Sequence, residues 1–184
     1  MDNEICIYNL DEFKKREKQI YKKLTDLYKK QIKYNDKFFP QWKDININKW
    51  QLTIIDEVAK ALNNIGYKWW ENQKTDFESL KENIINIFSL LLTKSYYFIL
   101  TDYKSRLKTL TFNIADDEDS KKNGFFVDRR NKKEFKEFVE NKLLEISDNN
   151  TDIQLIALSS FIVATADFEY YYDALNYKFL RKGK

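Results

Sequence analysis

Between residues 11 and 34, Ile20, Tyr21, Leu24, Leu27, Tyr28 and Ile32 recur on one face at helical spacing, with lysines between them. That period predicts an amphipathic helix, since a strand would alternate every second residue. The pattern breaks around Pro40 and resumes near residues 47–49. There Ile54, Ile55, Val58, Ala61, Leu62 and Ile65 predict a second helix that ends at about Gly66. A loop, ENQKTDFES, leads to a third helix from about Phe77 to Thr93, and a further tract runs from Ser95 to about Asn113. The segment ADDEDSKKNG predicts a loop, because its charges and Gly124 offer nothing to a core. A helix near residues 132–147 and a last one from Asp152 to about Phe179 complete the chain. LTFNI and GFFVD are the only short runs with strand character. With no hairpin signals, the pattern predicts an all-α helical bundle in a single domain over residues 1–184.

Composition sharpens this picture. One proline and three glycines leave little punctuation for a glycine-rich α/β enzyme. The chain carries 32 basic and 29 acidic side chains, a formal charge of +3, which describes a mixed surface and not a dedicated nucleic-acid binder. Nucleic acid is not thereby excluded, and the basic tracts Lys14–Lys30 and Arg129–Lys133 are the surfaces to test. Histidine is absent and Cys6 stands alone, which excludes intrachain disulfides, Cys/His zinc sites and histidine triads. Any catalysis falls to carboxylates, Lys, Tyr, Ser or Thr. The N-terminus has no signal-peptide pattern. The most apolar run, Ile84 to Leu100, is interrupted by Asn86, Ser89, Lys94 and Ser95. The expectation is a soluble cytoplasmic protein with no membrane association.

Candidate chemistry sits on the second and third helices. Glu57 is followed three residues later by Lys60, and Asn83 three residues later by Asn86, so each pair projects from one side of its helix. Asn83 and Asn86, with Ser79 and Thr93, make an uncharged polar stripe on an otherwise apolar helix. In a chain whose exposed positions are mostly charged, such a stripe is expected to face another helix. Tyr67, Lys68, Trp69 and Trp70 follow the second helix, as core or interface anchors or as a ring-stacking group beside a cation.

The order Trp50, Glu57, Lys60, Tyr67-Lys68-Trp69-Trp70, a loop around Asp76, then Asn83 and Asn86 resembles the central helix pair of the dimeric, all-α dUTPases. These are all-α nucleoside triphosphate pyrophosphatases of kinetoplastids, Campylobacter and many phages. The likeness covers Trp50 to Leu92, about a quarter of the chain. In that family two acids on each helix hold Mg²⁺ against the triphosphate, as hard oxygen ligands suit that ion. At the matching positions only Glu57 keeps an acid, and Lys60, Asn83 and Asn86 replace the rest. The resemblance therefore implies the fold, a homodimer and a dUTP- or dUMP-like nucleotide, with Mg-dependent hydrolysis lost and no cofactor expected. It places the nucleotide against Lys60, Lys68, Trp69, Trp70, Asn83 and Asn86. The tail YYYDALNYKFLRKGK keeps Asn176 and Arg181 of the family's closing segment, without the Gln and Gly-Tyr that follow there. Two other readings stand beside this pseudoenzyme reading. One is an active dUTP/dNTP pyrophosphatase with Mg²⁺ held by a relocated set, Asp56, Glu57, Glu78 and Glu82. The other is a phage or mobile-element factor that binds a host protein or nucleic acid.

Overall fold

The computed structural model describes residues 9–68, 70–71, 73–97 and 103–181. Helix starts follow the asparagines and aspartates of the sequence. Asn9 opens α1 (Leu10–Phe38), Asn46 opens α2 (Ile47–Ile65) and Asp76 opens α3 (Phe77–Tyr96). Asn131 opens α5 (Lys132–Ser147) and Asn150 opens α6 (Thr151–Thr165). In each case the side-chain oxygen accepts a backbone N–H of the first turn, a bond worth about 1 kcal/mol at such a position. The two remaining helices are α4 (Tyr103–Lys122) and α7 (Phe168–Arg181), and a short 3-10 turn spans Trp42–Asp44. The fold is all-α, with no strand among the described residues.

Among the described residues one hydrophobic core runs through all seven helices. Its centre is α6, which is apolar all round and packs against α3, α4, α5 and α7. Helices α2 and α3 are antiparallel neighbours, α5 also packs against α2, and α1 closes the bundle over α3, α4 and α7. Among the described residues no single helix is long and apolar enough to cross a membrane.

Three sequence expectations need correction. The acidic segment ADDEDSKKNG is no loop over most of its length, since α4 continues to Lys122. Its charges serve tertiary ties in place of core packing. Ser159 and Ser160 donate to Asp117 at 2.6 and 3.1 Å. Arg16 holds Asp119 at 2.7 Å, and Glu118 accepts the backbone N–H of Phe168 at 3.2 Å. LTFNI lies inside the same helix, and GFFVD is irregular. The last predicted helix is two helices, bent by 102° at Ala166 and Asp167. Side chains from elsewhere stabilise that break. Lys121 donates to the carbonyls of Val163 and Ala166 at 2.6 Å each, and Arg129 to that of Thr165 at 2.9 Å, so these carbonyls at the end of α6 are satisfied. Asp167 then accepts the Tyr170 N–H at 2.8 Å and starts α7.

Candidate functional site

The geometry of the α2–α3 turn sets the register of the site. Gly66 ends α2 at φ +64°, where its N–H reaches the Asn63 carbonyl and the Tyr67 N–H reaches back to Leu62. A Cβ there would lie 2.8 Å from the Gln73 carbonyl oxygen, so glycine is required by both dihedral and space. The Asp76 N–H donates to the Asn64 carbonyl at 2.7 Å and closes the loop on itself. With the two helices so joined, Asn64 faces Asn83 and Glu57 faces Asn86.

Glu57 is the hub. It is 9% exposed, and its two oxygens are fully engaged. Lys60 Nζ donates to Oε1 at 2.8 Å, while the amides of Asn83 and Asn86 each donate to Oε2 at 3.2 Å. Both asparagines are oriented by their other ends: Asn64 donates to Asn83 Oδ1 at 2.6 Å, and Lys178 of α7 donates to Asn86 Oδ1 at 3.0 Å. Burial alone would raise the Glu57 carboxyl, but the bonds from Lys60, Asn83 and Asn86 outweigh it and hold the group below the usual glutamate range. The Lys60 ammonium also pairs with Asp56 at 2.7 Å, and Asp56 and Glu57 together push it up. The carboxylate is thus kept ionised and neutralised at once.

Beside Glu57 opens a cleft of about 400 Å³ between α1, α2, α3 and the end of α7. Tyr34, Phe39, Ile45 and Trp50 form its apolar walls, and Glu57, Asn86 and Lys178 a polar side that holds its two charges. The remaining wall is a buried, uncharged chain of hydrogen bonds. Ser89 donates to Gln31 at 2.6 Å, Gln31 to Asn35 at 2.8 Å, and Asn35 to Thr93 at 3.0 Å. Each of the two amides spends one N–H in this chain and keeps a second, so the wall can still donate to a ligand acceptor. Trp50 is held in place by its indole N–H, which donates to the Tyr97 hydroxyl at 2.6 Å.

The structure thus brings Glu57, Lys60, Asn83 and Asn86 together, and the polar stripe of α3 does face other helices: Asn83 and Asn86 meet α2, and Thr93 meets α1. Ser79 departs from it, bonding its own cap Asp76 at 2.7 Å. The aromatic cluster lies elsewhere. Tyr67 and Trp70 are exposed, Lys68 pairs with Glu71 at 3.3 Å, and none of them lines the cleft. Trp69 lies outside the described residues. Asn176 faces α1, where it accepts from Lys30 at 2.7 Å, away from Glu57. Arg181 lines a neighbouring cleft between α3 and α7 that shares Asn86 and Lys178 with the first.

The relocated acid set is dispersed. Asp56 is taken by Lys60, Glu78 by Lys81 at 2.7 Å, and Glu82 lines the α3–α7 cleft. Among the described residues no three acidic, histidine or cysteine side chains have the geometry of a metal site. Sequence reasoning missed Lys178, Asn64, Gln31, Asn35 and Ser89. Gln31 and Asn35 carried a readable signal, being uncharged polar residues four apart inside a lysine-rich helix, the same cue that marked the stripe on α3. Nothing local marked Lys178. No family model, curated protein or solved structure matches the chain.

Proposed function

We propose that this chain is a dUTPase-like binding module that takes a nucleotide of the dUTP or dUMP type without metal and no longer hydrolyses it. One observation carries the reading: the four positions matched to the family's acids converge, yet they hold one carboxylate, one ammonium and two amides, with the ammonium and both amides donating to the carboxylate. Formally the four side chains sum to zero, where four carboxylates would sum to −4. A divalent ion would gain little from such a site, since hard cations are drawn by carboxylate charge. A phosphate, in contrast, meets no net repulsion there and finds the Lys178 ammonium on the cleft wall with Glu57 and Asn86. The cleft wall of Tyr34 and Trp50 and the spare amide protons of Gln31 and Asn35 suit a flat ring with carbonyl acceptors.

Titration calorimetry with dUMP and dUTP in chelator tests the binding, with Lys178→Ala as the control. Heat that is saturable and weakened in the variant supports the reading, and its absence sinks it. Pyrophosphate release from dUTP in Mg²⁺ that depends on Glu57 would instead make the protein an enzyme.

A further inference from the structure

A second groove, of about 270 Å³, opens where the end of α7 lies along the C-terminal half of α1. It does not include Glu57 or its partners. The floor is apolar. Phe38 and Phe179 are half-buried in it, with the Tyr34 ring tilted against them at centroid distances of 4.9 and 5.6 Å. Leu180 stands at one edge and is 73% exposed, which extends the apolar floor to the surface.

The opposite edge is basic. Lys30, Lys33 and Lys37 form a single stripe along α1. Lys30 is already used: it bonds Asp26 at 2.6 Å and Asn176 at 2.7 Å, which fixes α7 against α1 and closes one end of the groove. Lys33 and Lys37 are different. Both are exposed, and among the described residues neither pairs with a carboxylate; Lys37 meets only the Phe38 ring, at 5.1 Å. The result is two unneutralised cations four residues apart, about 6 Å along the helix axis, set above an apolar floor.

From this geometry we infer that the groove docks an acidic amphipathic helix of a protein partner. An apolar side chain of that helix lies over Phe38 and against Leu180, and two of its carboxylates, one turn apart, meet Lys33 and Lys37. Exposed ion pairs contribute little energy each, so the apolar anchor supplies affinity and the paired charges supply register and partner choice. The floor rings tilt against each other and do not line up as parallel platforms for successive bases, which disfavours single-stranded nucleic acid. Phe38 and Phe179 are half-buried beside the exposed lysines, which disfavours insertion of these rings into a bilayer.

The test is fluorescence anisotropy of the full chain with a short labelled helical peptide that carries leucines on one face and glutamates at i and i+4 beside them. Phosphatidylserine vesicles and a single-stranded oligonucleotide are the competing arms. Saturable binding that weakens with salt and falls about tenfold or more in Lys33→Glu/Lys37→Glu and in Leu180→Ser supports the docking site. Thermal melts of these variants should match the parent, because all three side chains are exposed. A peptide with lysines in place of its glutamates should restore binding to the charge-reversed variant. Binding unchanged by both sets of substitutions, no saturation up to millimolar peptide, or charge-dependent binding of vesicles or oligonucleotide in its place would overturn the inference.

Discussion

Replacing Glu57 by Gln removes one charge and no volume, yet the surroundings leave the new amide no good orientation. If its NH₂ takes the place of Oε2, it faces the donating amides of Asn83 and Asn86. Those amides cannot simply flip, because Asn64 and Lys178 already occupy their oxygens. If the NH₂ points the other way, it faces the Lys60 ammonium. Either orientation sets donor against donor, and a buried donor left without its acceptor costs about 1–3 kcal/mol. The Lys60 pair adds little, as Lys60 is half exposed. The expected loss at neutral pH is about 2 kcal/mol, or roughly 4–8 °C in Tm for a chain of this size.

Urea unfolding of parent and Glu57→Gln between neutral and acidic pH measures this. Because folding depresses the Glu57 carboxyl below its ordinary 4.5, its contribution is present above that value and is lost as pH falls through the folded pKa. Glutamine imitates the protonated acid, so the two proteins should converge in acid. A difference under about 0.5 kcal/mol at neutral pH, or one that persists unchanged in acid, would refute the hydrogen-bond assignment around Glu57.

Three further outcomes follow from other buried groups. Lys94 is fully buried among three neutral acceptors, Gln51, Gln154 and the Asn149 carbonyl, and desolvation with help from Arg106 pushes its ammonium down to about 8. The unfolded chain therefore binds the extra proton above pH 8, so Lys94 makes stability rise with pH by up to about 1.4 kcal/mol per unit until its ordinary 10.5 is reached. Denaturant melts of Lys94→Met should lack that rise. Gly66→Ala should cost about 1–3 kcal/mol for its positive φ alone, with the Gln73 contact adding to it, read as a lowered urea midpoint. Burial raises the Asp117 carboxyl despite its two serine donors, so its charged form weakens the fold as pH climbs past the ordinary aspartate range. Melts of Asp117→Asn should show a flatter pH profile there and no loss at neutral pH.

The sequence by itself determined the helices whose apolar faces repeat cleanly, α1, α2, α3 and α5, each of which also starts at an Asn or Asp cap. Caps at Asn150 and Asp167 start α6 and α7 as well, yet with α6 apolar all round the pattern runs the two together. It also determined that α3 bears an uncharged polar stripe, because such a stripe is anomalous among charged neighbours. Tertiary structure decided the rest, for a physical reason common to each case. The acidic segment of α4 reads as loop until Arg16, Ser159 and Ser160 supply its partners. The bend between α6 and α7 is invisible locally because Lys121 and Arg129 cap it from other parts of the chain. At the site, periodicity could place Glu57 and Lys60 on one face, but only the packing of α3 and α7 against α2 brought Asn83, Asn86 and Lys178 into one network. Local pattern encodes which face of a helix is apolar. Which polar groups neutralise each other depends on contacts between residues 26 to 146 positions apart, and that is set by the fold.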